Sequence, residues 1–528
     1  MRRLTAAGLL PCFALFGLAA TAADQPDVDR AVQAMGGPAL SQVRTIVVKG
    51  ETRHLDPGQT VKAGGEYRLA DNSTFTESRD LAAGKSRTEW YRKMLYPAPR
   101  EYKFTEVIAD GVGYVNGVDS TARVKQSLDT NQQTMSGSRV AASTREFVRS
   151  SPTLLAQMQQ QPARVAKLPD QKIGQETFPA VRYQSGQNTF IVLFDRSSGL
   201  PARVRTLDYD SLQGDSTYDL VLSDWRQAGP IKYPYKQVYQ LNGGNVIETA
   251  ITDVTVNPAL AADAFSIPPE MRVGAPKIAT GDVPYQWVLR RQFIGVYLDS
   301  DAMTYDPKSG PGPHLVDLAP GISQMVGGTH NSLIVEMDTF LVSFDTPISE
   351  QLSKWTMEQA AKKYPGKPFK YVVLTHHHMD HTSGIRNYAA AGATVVVAKG
   401  NGQYFVKALS SPDALGRDAP KKPFKPEVVE TDGRYVITDG KREVYAYLIE
   451  NPHAEGMLIG YIPDAKLGFV ADLWSPGRDA LPAKPTPALM AVVAGVKKWG
   501  IEPTRFAGGH GSVGDYAPLA KLAATAAP

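Results

Sequence analysis

Between Tyr371 and Gly384 the chain reads YVVLTHHHMDHTSG, and four of its nine histidines stand there with one aspartate. Val372, Val373 and Leu374 make the end of a continuous apolar strand, and polar residues begin abruptly at Thr375. Residues two apart on an extended backbone point the same way, so His376 and His378 share a side. Asp380 and His381 follow on the turn into a helix. The stretch thus offers two same-side imidazoles, then a carboxylate and a third imidazole. Those are the ligands a divalent ion such as zinc takes when no thiolate is at hand. A single histidine is usually an ordinary surface or core residue. Four with an aspartate, closing a buried strand, form a metal-ligand pattern. His377 faces the other way and is expected to pack or to steady its neighbours.

The elements around this stretch alternate. NSLIVEMDTFLVSFDTP is a strand, a turn at Met337-Asp338 and a second strand. SEQLSKWTMEQAAKKY has helical apolar spacing, with Ser349 available as its cap. KYVVLT is a buried strand, TSGIRNYAAAG a short helix stopped by Gly392, and ATVVVA another strand. Later come EVYAYLI, GMLIGYI and LGFVADLW, a helix near Ala488 to Lys498 and a strand at RFAGG. Such a mixture implies stacked α/β layers, with reactive groups in loops at strand ends.

The first half reads differently. From Ala31 to Pro269 it is mostly strands rich in aromatic and β-branched residues, broken by turns such as Ser-Ser-Gly-Leu-Pro and Asn-Gly-Gly. That implies a mainly antiparallel β domain. Short helices are expected near Ala31 to Met35 and Pro152 to Gln160. The Pro- and Gly-rich IPPEMRVGAPKIATGDVPYQ reads as linker. The expected division is a signal peptide at 1–23, a β domain at 24–270, a linker at 271–285 and an α/β domain at 286–528.

Length alone, 528 residues, argues for more than one domain. The amino-terminal MRRLTAAGLLPCFALFGLAATAAD has a basic start, an apolar run and a small-x-small cleavage site at Ala20-Thr21-Ala22. It reads as a secretory signal, so export to the periplasm or beyond is expected. The single cysteine, Cys12, lies inside it. The mature chain then has no thiol for a disulfide, a nucleophile or a metal. Lys and Arg number 57 against 53 Asp and Glu; without Arg2 and Arg3 the balance is 55 − 53 = +2. That near-neutral charge makes no case for nucleic acid, and a small-molecule substrate is expected. No second apolar run is long enough to span a membrane. No Gly-x-Ser-x-Gly elbow, phosphate loop or dinucleotide fingerprint is present.

THHHMDH resembles the His-x-His-x-Asp-His signature of the metallo-β-lactamase-fold hydrolases, in the form of the hydroxyacylglutathione hydrolases and lactonases. Further elements of that pattern follow in order: Asp345 closing an early strand, His453 in IENPHAEGM, Asp472 in FVADLW and His510 in AGGHGS. The resemblance covers about Gly321 to Ser512. It implies an αββα sandwich, preceded here by the mainly antiparallel β domain. It also implies two divalent metal ions, with zinc the expected metal. His376, His378 and His453 would hold one, Asp380, His381 and His510 the other, and Asp472 would bridge them. Asp345 would orient a ligand loop by hydrogen bonds rather than touch metal. His54 and His314 have no assigned role. His330, ahead of an early strand, fits a place near the site or on the surface.

Two such ions lower the pKa of a shared water, so that hydroxide is available at neutral pH to attack an electrophilic carbon or phosphorus. Asp380 is the expected catalytic carboxylate, orienting the water and passing a proton to the leaving group. The expected reaction is hydrolysis of an ester, lactone or thioester. Fold alone does not choose the bond: β-lactam opening and iron-dependent dioxygenation on the same fold stay open. The first half resembles periplasmic lipoprotein-carrier half-barrels, which leaves a binding module for an apolar ligand as the reading of a different class.

Overall fold

A computed structural model describes residues 25–118, 132–273, 285–291, 312–416, 422–478 and 480–525. The signal-peptide expectation, and most of the expected linker, fall outside them.

The first half is one 13-stranded sheet in which every pairing is antiparallel. The strand Thr45–Asp56 lies inside it, flanked by Arg68–Asp80 and by the last strand, Gly244–Val256. Its burial alternates along the chain, as a strand with one covered face requires. The helices Pro26–Met35 and Leu154–Gln160 close one cluster, with Val28, Met35, Leu155, Tyr183 and Phe190 at its centre. Elsewhere Phe75, Trp90, Phe104, Lys49, Glu89 and Lys103 line an open groove of about 670 Å3. The helix Gly137–Arg149 buries Arg139, Arg145 and Arg149. Arg149 stacks on Tyr218 and Tyr239 and pairs with Glu146 at 2.7 Å, so its charge is compensated.

The second half is α/β: a seven-stranded mixed sheet packed on a six-stranded one, with helices outside both. Val335, Phe344, Val373 and Val396 from one sheet meet Ala446, Leu458, Phe469 and Ala507 from the other. The next residues along the same strands, Val372, Val395 and Val397, point to the helices Glu350–Lys363, Ile385–Ala390 and Gly402–Leu409. Val395 to Ala398 are therefore all apolar because both faces of the strand are covered, and each buried valine is worth about 1.5–3 kcal/mol. The helices Pro487–Trp499 and Tyr516–Ala524 cover the six-stranded sheet. Ser349 caps its helix, accepting from Leu352 N at 3.2 Å.

The halves are joined by more than the chain. The short helix Tyr285–Arg291 sends Gln286 N to Asp208 Oδ2 at 3.0 Å, while Trp287 and Val288 pack with Tyr218, Val246, Ile348 and Leu352. Arg386 donates to Leu212 O at 3.1 Å, and Asp215 N donates to Pro412 O at 2.7 Å. Among the described residues no helix is long and apolar enough to cross a membrane.

Candidate metal centre

Strand direction gathers the expected residues at one edge of the sandwich. Leu341–Phe344 and Phe369–Val373 run parallel, and Asp345 and His376 follow their carboxyl ends. Leu467–Val470 and Arg505–Gly508 are also parallel, and Asp472 and His510 follow theirs. His453 follows Glu443–Ile449, two strands from Leu467–Val470 and so codirectional with it. His330 precedes Ser332–Glu336, which runs antiparallel to Leu341–Phe344 and therefore starts at the same edge.

Two groups result. His376, His378, His453 and Asp472 form one, and His330, His381 and His510 the other, the ligand atoms within each lying within 4.8 Å of one another. Asp472 belongs to both in effect, because its two oxygens divide. Oδ2 lies 3.2 Å from His376 Nε2 and 2.8 Å from His453 Nε2. Oδ1 lies 3.0 Å from His381 Nε2 and 2.6 Å from His510 Nε2. Asp380 is not within the second group's tight set of atoms, but its Oδ2 is 3.2 Å from His330 Nε2.

The outer contacts decide which nitrogen faces inward. Carbonyls only accept, so His378 Nε2 donates to Thr60 O at 2.9 Å, leaving Nδ1 to face His453 Nε2 at 2.9 Å. His510 Nδ1 likewise donates to Thr329 O at 3.2 Å, and His381 Nδ1 to Asp345 Oδ2 at 3.0 Å. Asp345 also accepts from Thr375 N at 2.7 Å and Thr375 Oγ1 at 2.9 Å. It thus holds His381 and the start of the histidine stretch together without entering either group. Asp345 and Asp472 both have positive φ, 56° and 54°. Aspartate tolerates this backbone better than most residues, and it turns both carboxylates inward at the strand ends.

These contacts fit a bound cation. His510 Nε2 is left with a lone pair facing a carboxylate oxygen, which repels unless a proton or metal ion stands between them. His376 Nε2 is buried, and among the described residues no partner meets it at hydrogen-bond geometry, Asp472 Oδ2 lying near but poorly aligned. Burial, with His381 and His453 nearby, outweighs Asp472 and pushes the His376 imidazole down to about 3. Burial and the neighbouring His376 also push His378 well below its ordinary value. Neutral imidazoles are the form that binds metal. For His381, burial is outweighed by the Asp472 charge and the Asp345 hydrogen bond, which raise it well above the ordinary range. Burial likewise loses for Asp472, whose carboxyl the His381 charge holds well below the usual range.

Part of the centre comes from the first half. The turn between Thr45–Asp56 and Arg68–Asp80 reaches over the edge. Gln59 Nε2 donates to Asp380 Oδ1 at 2.6 Å, and Tyr96 Oη donates to Gln59 Oε1 at 2.6 Å. Thr60 O accepts from both His377 and His378, Met379 N donates to Gly58 O at 3.0 Å, and Glu455 N donates to Val61 O at 2.7 Å. Burial first, then the Asp380 charge, raises the Tyr96 phenol, so it stays a neutral donor. Sequence reading had no role for Gln59, Thr60 or Tyr96 and left His330 unassigned. PGQTVKAGGE carries only a turn signal, and its reach spans more than three hundred residues. His377, turned onto Thr60 at 2.8 Å, lies outside both groups. His377→Ala is expected to leave metal content unchanged and to lower turnover by less than about tenfold; elemental analysis beside a rate assay checks it.

A two-sheet sandwich with histidines and aspartates converging on one edge defines an α/β domain with a candidate metal centre. The family model of the metallo-beta-lactamase superfamily matches residues 330–515, and this part of the chain is a domain of that superfamily. A search of curated proteins gave no match. Among solved structures, the chain is similar to the sec-alkylsulfatase Pisa1 from Pseudomonas sp., at 19% identity and TM-score 0.31 over 40% of each chain. It is similar to a flavodiiron core from Synechocystis sp. at 17% identity and TM-score 0.33, over 40% of this chain and 60% of that one. A metallo-beta-lactamase from Pontibacter korlensis matches at 16% identity and TM-score 0.32, over 40% of this chain and 97% of that one. The chain thus spans about half the length of the first two.

Proposed function

We propose that the chain is an exported, binuclear metal-dependent hydrolase acting on an ester, lactone or thioester. The observation that carries this is Asp472, whose two oxygens face two separate sets of histidines. In this reading His376 Nε2, His378 Nδ1 and His453 Nε2 hold one ion. His381 Nε2 and His510 Nε2 would hold the other with Asp380, and Asp472 would serve both. The ions, zinc on this N,O donor set, would supply Lewis acidity and a nucleophile from water at neutral pH. Asp345 sets the tautomer and tilt of His381, as Thr60 O does for His378. Asp380 holds a proton-accepting oxygen at the edge of the centre, kept in place by the Gln59 amide. For Asp380, burial is outweighed by the contact with His330 and by the His381 charge, which hold its carboxyl well below the usual range, so it is ionised.

Elemental analysis of the purified protein tests this. About two zinc per chain is expected, with turnover in a panel of lactones, thioesters, sulfate esters and β-lactams. About one iron per chain, with oxygen consumption, would move the assignment to a dioxygenase. No metal after metal-replete purification would leave the first-half sheet and its groove as a binding module.

A further inference from the structure

We infer that His330 is a sixth metal-ligating histidine, completing the second position with His381, His510 and Asp472 Oδ1. This rests on the binuclear reading above and adds a residue that the His-x-His-x-Asp-His pattern does not contain.

Three observations carry it. The first is position. The His330 ring centroid is 4.2 Å from that of His510 and 5.1 Å from that of His381. The ligand atoms of the three lie within 4.8 Å of one another. Two metal–nitrogen bonds of about 2 Å each span slightly less, so a small closing motion gives them a common centre. The second is orientation. Thr329 Oγ1 lies 2.8 Å from His330 Nδ1, and Nε2 points inward, 3.2 Å from Asp380 Oδ2. Where Nδ1–H is donated to the hydroxyl, the Nε2 lone pair faces a carboxylate oxygen, an arrangement that a shared cation satisfies; where the hydroxyl instead donates to Nδ1, Nε2–H is donated to Asp380, and the test below separates the two. The third is that the segment is anchored for this purpose. Asn331 N donates to Gly509 O at 2.8 Å, and Asn331 Nδ2 donates to Gly508 O at 3.0 Å and Gly511 O at 2.8 Å. The same backbone carries His510, so His330 and His510 are held as one unit.

The two positions then differ. The first has three imidazoles and one carboxylate oxygen. The second has three imidazoles, Asp472 Oδ1 and, beside them, Asp380, whose other oxygen is tied to Gln59. With His330 added, Asp380 would be a fifth donor at the second position rather than one of four.

The test uses the full chain loaded with cobalt(II), with proton NMR in water. Each cobalt-bound imidazole keeps one N–H on its outer nitrogen, and that exchangeable proton is strongly shifted by the metal. The five histidines of the pattern plus His330 give six such signals. Six signals at two cobalt per chain, falling to five in His330→Ala, is the expected result. In that variant the second ion should also bind at least about tenfold more weakly in competition with a chelator, while the first is unaffected. Five signals in the unaltered protein at two cobalt per chain would overturn the assignment and make His330 a hydrogen-bond donor to Asp380. Uptake of fewer than two cobalt would instead overturn the binuclear reading, and this inference with it. If His330→Ala does not fold, the signal count of the unaltered protein decides alone.

Discussion

Replacing Asp472 with alanine is expected to empty both proposed metal positions at once and to lower turnover by at least roughly 10²- to 10³-fold, the scale on which one preorganised electrostatic group acts. The expectation follows from the geometry of a single side chain. Four imidazole nitrogens lie within 3.2 Å of its two oxygens, two on each. Among the described residues, no other carboxylate pairs with histidines of both groups. Asp345 is spent on Thr375 and His381 Nδ1, and Asp380 faces only the His330 side. Without the carboxylate, two cations would have to sit near each other with no charge between them. Asp472→Asn separates the causes, because it keeps the size and removes the charge. Elemental analysis of both variants is the check, with circular dichroism to show that they fold. Two ions retained in Asp472→Ala would end the bridging assignment.

The second large effect is expected from a residue outside the superfamily domain. Gly58→Val should reduce turnover by about 10- to 100-fold, as losses of outer-shell support do, and cost roughly 1–3 kcal/mol of stability from overpacking. A Cβ at Gly58 would stand 2.3 Å from Met379 Cγ and 3.0 Å from Met379 Cβ. Met379 sits between His378 and Asp380 and donates its amide to Gly58 O. The added side chain must therefore lift the turn, taking with it the Gln59 amide on Asp380 and the Thr60 carbonyl on His378. Kinetics beside thermal denaturation distinguish this from simple destabilisation: a well-folded variant with low turnover is the expected pair. Full turnover in a folded Gly58→Val would show that the first half does not tune the centre.

Much of the centre was legible because its signals are local or ordered along the chain. The cluster in YVVLTHHHMDH needs only strand periodicity, and His453, Asp472 and His510 each follow a readable apolar strand. The superfamily resemblance and the α/β sandwich behind a mainly antiparallel half agree with the family match and the sheets. What escaped depends on contacts distant in sequence. Gln59 meets Asp380 across 321 positions and Thr60 meets His378 across 318. The helix Gly137–Arg149 was missed for another reason. Its buried residues include Arg139, Arg145 and Arg149 beside Val140, Ala141 and Ala142, so long cations interrupt the apolar stripe by which a helix is read. His330 was set aside because one histidine before a strand has no pattern of its own. Its role depends on Asn331 tying that segment to the loop of His510.

The Thr60 carbonyl fastens the turn of one half to His378 in the other. That contact makes docking and metal loading two faces of one equilibrium. Whatever free energy an ion gains from a His378 already held by Thr60, the docked turn gains equally from the ion. Chelation is therefore expected to loosen this turn of the 13-stranded sheet, and amide exchange between Gly58 and Val61 should quicken as metal is withdrawn. A ligand that pulled on this turn from the sheet side would be felt at the metal as a change in affinity. The large β half would then be an effector arm with its lever already resting on the centre.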